Sequence, residues 1–270
     1  MSTPQIITVV QARTGSSRLP NKVMMPILDQ PLLLRMLERV TAAKNTGTLV
    51  VATSTNNEDD IIAELCNENN INCYRGHPTD LLDRHYKAAL PYNPDAVVKI
   101  PSDCPLIDPQ IIDNVLQYYI NHNDKYDFVS NLHPATYPDG NDVEVMSFET
   151  LKETWEKADK NYEREHTTPY IWEHPDKFRL SNFIWNEGID YSTTHRWTID
   201  YEEDYRFIKA VYEELYNENN LFGIDDILKL LYDKPEIYHI NSRYAGKYWY
   251  ENHLDELTHI DEYKSKINKT

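Results

Sequence analysis

The stretch VVQARTGSSRLPNKVMMPIL, residues 9–28, decides how this chain is read. It leaves an apolar segment, crosses a polar loop bearing Arg13, Arg18 and Lys22, and enters a second apolar segment. No acidic residue precedes Asp29, although the 270-residue chain holds 44 Asp+Glu against 27 Lys+Arg, a formal net charge of −17. A strand, a glycine-bearing loop and a helix in succession form a phosphate-binding arrangement. Loop N–H groups converge on anionic oxygens, and Arg or Lys supplies charge. Three spaced cations suit a triphosphate, while the plainer reading is a solvated basic loop. Neither G-x-x-x-x-G-K-[ST] nor G-x-G-x-x-G is present.

Outward from that loop, strand and helix patterns alternate. Ile6–Val10 reads as a buried strand, and Leu33, Met36, Leu37 and Val40 recur at helical spacing after Pro31. Thr48–Ser54 is a second strand, followed by a helix with Ile61, Ile62 and Leu65 on one face. INCYRG is a third strand and TDLLDRHYKAAL a further helix. Asp95–Ile100 is a fourth strand. Asp108 and Pro109 then give a strong helix start. Such alternation predicts an α/β fold, with a Rossmann-like, mostly parallel sheet flanked by helices, and ligands outside the carboxyl ends of its strands. Beyond Asn131 the pattern loosens. NDVEVMS, FRLSNFIW and HRWTI read as strands, and FETLKETWEKAD, YEEDYRFIKAVYEELY and GIDDILKLLY as helices. One domain over 1–243 is expected, with a polar, Tyr-rich tail at 244–270 to which no role is assigned.

Composition narrows the function. So acidic a chain is unsuited to general nucleic-acid binding, which draws on Lys and Arg. No apolar run reaches the roughly 18 residues of a membrane span, and no signal-peptide pattern is seen, so cytoplasmic residence is the expectation. Cys66, Cys73 and Cys104 show no C-x-x-C spacing and read as reduced thiols. Only seven glycines occur, and Gly15, Gly76 and Gly140 fall in short polar motifs, where close backbone approach or a turn is the expected use.

ARTGSSRLPNK resembles the signature loop of the sugar-activating cytidylyltransferases, the acylneuraminate and 3-deoxy-manno-octulosonate enzymes, and above all the spore-coat polysaccharide group. YRGHPTDLLDRHYKAA, PSDCPLIDP, YPDGNDVEVMSFETL, EREHTTPYIWEHPDKFR and RWTIDYEEDYRFI follow in that group's order. The resemblance implies transfer of CMP from CTP to an acceptor oxygen, with pyrophosphate released and Mg²⁺ as cofactor. Residues to about 130 would bind the nucleotide, and about 131–210 a small-molecule acceptor. Surface-polysaccharide synthesis and a homodimer are implied by analogy.

By the same resemblance Arg13, Arg18 and Lys22 would hold and neutralise the triphosphate, with Ala12, Gly15, Ser16 and Ser17 offering loop contacts. Asp103 and Asp200 would carry the metal. Each also has a plainer reading, as a strand-end turn or a helix cap. Ser102 stands where relatives often have glycine. Arg75, Gly76, Asp83 and Arg84 match a segment near the base and ribose. Asp139, Asp142, Glu144, Arg164, His166 and Arg196 would line the acceptor side, Asp142 and Glu144 sharing one strand face. No residue stands out as a general base. A nucleotide-sugar glycosyltransferase and a non-catalytic CTP-binding protein are the alternatives. The first is disfavoured because no Asp-x-Asp occurs.

Overall fold

The computed structural model describes residues 4–185, 188–247 and 257. Its strands are β1 (Ile6–Gln11), β2 (Pro26–Ile27), β3 (Gln30–Pro31), β4 (Thr48–Ser54), β5 (Asn72–Gly76), β6 (Ala96–Pro101), β7 (Phe128–Ser130), β8 (Glu144–Ser147) and β9 (Leu180–Asn182). The helices are α1 (Leu32–Ala42), α2 (Asp60–Glu68), α3 (Leu81–Ala89), α4 (Pro109–His122), α5 (Phe148–Lys157), α6 (Asn161–His166), α7 (Pro169–Trp172), α8 (Glu202–Leu215), α9 (Ile224–Asp233) and α10 (Pro235–Tyr238).

Strands β2 and β3 form a small hairpin, and the others make one sheet in the order β5-β4-β1-β6-β8-β7-β9. The pairs β1–β4, β1–β6, β4–β5 and β7–β9 are parallel, whereas β8 runs antiparallel to both neighbours. Side chains of β1 alternate between two cores, as the two-residue strand period requires. Ile6 and Val10 pack with Leu33 and Met36 of α1 and Ile112 and Val115 of α4. Ile7 and Val9 pack on the other face with Leu82 of α3 and Leu151 of α5. A third cluster joins Leu19, Ile27 and Leu106 to Trp197, Ile199, Phe207 and Ile227. It fastens α8 and α9 beneath the phosphate-type loop.

The chain leaves β1 toward β4 on one side and returns to β6 on the other. The switch point, where doubly wound sheets bind ligands, therefore lies between β1 and β6. Residues 12–22 and 102–108 flank it.

Three sequence expectations are corrected. Ile61 is 48% exposed; Ile62 and Cys66 bury the inner face of α2 instead. HRWTI forms no strand, only an isolated bridge between Asp139 and Arg196. Strand β9 is three residues long, and β7 was not foreseen. Of the tail expected at 244–270, only 244–247 and Leu257 lie among the described residues.

Candidate active site

The ends of β1 and β6, the loop at 12–22 and the 131–144 and 192–201 segments enclose a cleft of about 870 Å³. That volume suits a nucleotide and a small acceptor. Ala12, Arg13, Ser16, Ser17, Arg18, Lys22, Ser102, Asp103, Asp139, Asp142, Glu144, His166, Arg196 and Asp200 all line it.

Asp103 and Asp200, far apart in sequence, are brought together by backbone bonds. Ile199 N–H and Thr198 Oγ1 both donate to the Asp103 carbonyl, at 3.0 and 2.8 Å. Lys22 then spans the two carboxylates, its Nζ lying 3.1 Å from Asp200 Oδ1 and 3.6 Å from Asp103 Oδ2. Arg18 adds a 2.7 Å ion pair to Asp200 Oδ1. Asp200 does not cap α8. Asp204 does so, accepting from the Asp200 and Tyr201 N–H groups at 2.9 and 3.0 Å.

Arg196 is the second hub. It reaches Asp139, Asp200 and Asp204 at 3.1, 3.0 and 3.1 Å. Burial opposes its charge, but those carboxylates hold the guanidinium firmly protonated. Gly140, with φ of +104°, permits this arrangement: a Cβ there would come within 2.6 Å of the Trp197 carbonyl carbon. Arg196 lines the cleft, with its guanidinium committed to these carboxylates.

Charge across the cleft is uneven. Burial disfavours an ionised Asp200, yet Lys22, Arg18 and Arg196 more than offset that and draw its pKa below the ordinary value. Burial and the nearby Asp103 charge push Asp142 up to about 7. Burial and Asp142 push Asp139 well above the usual range. Glu144 does face the cleft with Asp142. Its carboxylate is already bonded to Lys99 and, at 2.7 Å, to Thr168 Oγ1.

Several expected site residues do other work. Arg75 braces the β4–α2 connection through Ser54 and Asn56 carbonyls and Asp60. Asp83 accepts from Trp155 Nε1 at 2.9 Å and pairs with Lys87. Arg164 clamps Asp80, at the α3 N-terminus, with bonds of 2.9 and 2.6 Å, and also bonds the Trp155 carbonyl. None of the three lines the cleft, nor do Gly15 and Gly76. Gly76 instead leaves room for a neighbour, since a Cβ would lie 2.8 Å from Arg84 Cγ.

That neighbour is the main residue the sequence underplayed. Arg84 lines the cleft at 1% exposure, and its Nε and Nη1 find no hydrogen-bond partner among the described residues. Burial and the adjacent Arg13 lower its pKa to about 10. Gln11, at the end of β1, likewise lines the cleft with a buried, unbonded Oε1. A polar residue closing an apolar strand was the available signal. Lys247 also lines the cleft, and its carbonyl accepts from Arg196 Nη1 at 3.3 Å. The start of the tail therefore does reach the site.

Asp103 and Asp200 offer oxygen donors only, the kind Mg²⁺ takes from one or two carboxylates while phosphates and water complete its shell. Among the described residues no cluster of three or more His, Cys, Asp or Glu is arranged to hold a metal alone. The arrangement fits a cation shared with a substrate.

A sequence model of the cytidylyltransferases matches residues 7–256. The chain belongs to the cytidylyltransferase family. The match carries the likeness past the motifs and into the tail. This cytidylyltransferase, a CTP-dependent nucleotidyltransferase, is 30% identical over 236 residues to the spore coat polysaccharide biosynthesis protein SpsF of Bacillus subtilis, covering 86% of this chain and 95% of that one. It is 36% identical to an uncharacterized protein of Methanocaldococcus jannaschii, covering 92% and 98% of the two chains. Its fold is similar to the solved structure of a cytidylyltransferase from Leptospira borgpetersenii, with a TM-score of 0.80 and 32% identity over 87% of this chain and 96% of that chain. No helix among the described residues is long and apolar enough to cross a membrane.

Proposed function

We propose that this cytidylyltransferase moves CMP from CTP to an acceptor oxygen on a sugar, an acidic sugar or a phosphorylated small molecule, releasing pyrophosphate with Mg²⁺ as cofactor. The observation that carries the reading is the meeting of Lys22 with Asp103 and Asp200 beside the basic loop. Such a transfer needs in-line positioning and charge neutralisation more than covalent help.

Arg13, Arg18 and Lys22 hold the triphosphate, with Ser16 and Ser17 as loop donors. Arg18 and Lys22 stabilise the pyrophosphate as it gains charge. Asp103 and Asp200 would hold Mg²⁺, which would lower the charge on the phosphate under attack. Arg84 and Gln11 meet the nucleotide at the β1–α3 side. Arg84 offers only donors, so it suits the acceptor atoms of a pyrimidine such as cytosine. Asp142, its pKa pushed up to about 7, takes the proton of the attacking hydroxyl. His166, Thr168, Ser192 and Thr193, which line the far side, give a polyhydroxylated acceptor hydrogen-bond partners.

A role in surface-polysaccharide synthesis is supported by the similarity to the spore coat protein. The three unpaired cysteines are in keeping with a reducing, cytoplasmic setting. A homodimer is the family-based expectation, which sedimentation analysis checks. The deciding assay mixes the enzyme with CTP, Mg²⁺ and a panel of acidic and phosphorylated sugars, and reads pyrophosphate and CMP-containing products by mass spectrometry. One acceptor that gives both is the expected result. CTP binding with no product from any acceptor favours a CTP sensor.

A further inference from the structure

Asp59 lies outside the cleft lining, yet its carboxylate is bound to the phosphate-type loop. The residue ends the 3-10 turn Asn57–Asp59 that precedes α2, and is 1% exposed. Its side chain makes no capping bond to α2, the ordinary use of an aspartate there. Instead Oδ1 accepts from Thr14 N–H at 2.7 Å and from Thr14 Oγ1 at 2.8 Å. Oδ2 accepts from Ser54 Oγ, and Ser54 Oγ in turn accepts from Asn56 N–H at 3.1 Å. Burial works against the charge of Asp59, but the Ser54 and Thr14 bonds outweigh it and keep the carboxylate ionised.

Thr14 is the residue on which the loop closes. Its carbonyl accepts from Ser16 N–H at 2.8 Å and from Asn21 N–H at 2.9 Å. One bond sets the start of the loop. The other sets its end, where Asn21 adopts a left-handed φ of 59° just before Lys22. A group that fixes Thr14 therefore fixes the spacing between Ser16, Arg18 and Lys22. Charge-assisted bonds are the stronger kind, and here two of them come from a different strand–helix unit.

We infer that Asp59 is a positioning residue. Bound to Thr14 and Ser54, it holds the loop in the one shape in which Ser16, Ser17, Arg18 and Lys22 converge on the β- and γ-phosphates. The inference rests on reading that loop as the triphosphate site. Asp59 lies outside the cleft lining, and its carboxylate bonds go to Thr14 and Ser54. Its effect is felt by a nucleotide in proportion to the phosphates that reach the loop.

The test compares CTP with CMP, which lacks the two outer phosphates, by calorimetric titration in Mg²⁺ without acceptor. Asp59→Ala is expected to weaken CTP by about tenfold or more, the loss expected when bonds to a charged group are removed, and CMP by much less. Asp59→Asn keeps an acceptor for Thr14 and is expected to restore most of the CTP-over-CMP preference. Thr14→Val removes the hydroxyl that bonds Asp59 Oδ1 and approaches the Glu58 carbonyl at 3.3 Å, but keeps the Thr14 N–H bond to Asp59 and the Ser54 bond, and is expected to show a smaller selective loss. It serves as the reading should Asp59→Ala fail to fold. Equal weakening of both nucleotides in Asp59→Ala, or an unchanged preference in Thr14→Val, overturns the inference while leaving the triphosphate reading intact. A wild-type enzyme that binds CTP no better than CMP removes that reading and this inference together.

Discussion

Lys22 Nζ donates to Asp200 Oδ1 at 3.1 Å and is held there by a second bond, at 2.6 Å, to the carbonyl of adjacent Ile199. The same ammonium also faces Asp103. Without ligands, the residues proposed for phosphate and those proposed for metal neutralise one another.

Binding then becomes an exchange, in which the cations pass to phosphate as the carboxylates take the metal. Lys22→Met is expected to weaken CTP while strengthening binding of Mn²⁺ alone several-fold, since the carboxylates lose a competing charge. Electron paramagnetic titration of free Mn²⁺ reads this directly. Weaker Mn²⁺ binding in the variant would contradict the exchange.

Among the described residues Arg84 is buried without a hydrogen bond at Nε or Nη1, and buried donors left unbonded cost stability. Arg84→Met, which keeps most of the volume, is expected to raise the melting temperature of the ligand-free enzyme. It is also expected to weaken CTP by about tenfold or more, as loss of a charged donor does. A lower melting temperature with normal CTP affinity would make Arg84 a structural residue.

Two buried groups give opposite pH signatures. Asp142 titrates at about 7 in the fold and at about 3.9 when unfolded. Its ionisation therefore destabilises the fold as pH rises through 7. Asp142→Asn is expected to gain more stability over wild type at pH 8 than at pH 5. His85, lowered to about 3 by burial, stays neutral in the fold, whereas the unfolded chain takes a proton below about pH 6.5. Its contribution is complete above that value and lost as pH falls toward 3. His85→Gln is expected to gain relative stability at pH 5 over pH 8. Thermal melts of each variant against wild type check both signs, and parallel pH curves would refute them.

Much of the fold was legible because parallel strands buried on both faces are unbroken apolar runs. Thr48–Ser54 has the limits read from sequence. The three-residue β7 is too short to display a period. Ile61 and Ile62 were read on one face, but neighbours on a helix lie about 100° apart, and Cys66, one turn after Ile62, marks the inner face that excludes Ile61. In the site, the loop cations and both distant aspartates could be read from their motifs. Side-chain commitments could not. Arg164 and His166 stand two positions apart on a helix, so they point in different directions, one to Asp80 and one to the cleft. Arg84 matches a segment near the base and ribose, yet in sequence it sits among Asp80, Asp83 and Lys87, and nothing there shows whether those carboxylates are free to pair with it. Only the fold reveals that Arg164 and Lys87 have taken those carboxylates.

One magnesium-bound triphosphate is expected between the loop cations and the two aspartates. A crystal structure of the enzyme with CTP and Mg²⁺ tests it most directly. The β- and γ-phosphate oxygens are expected on Ser16, Ser17, Arg18 and Lys22, and the metal on Asp103 and Asp200. A triphosphate bound elsewhere, or a metal touching neither aspartate, would contradict it.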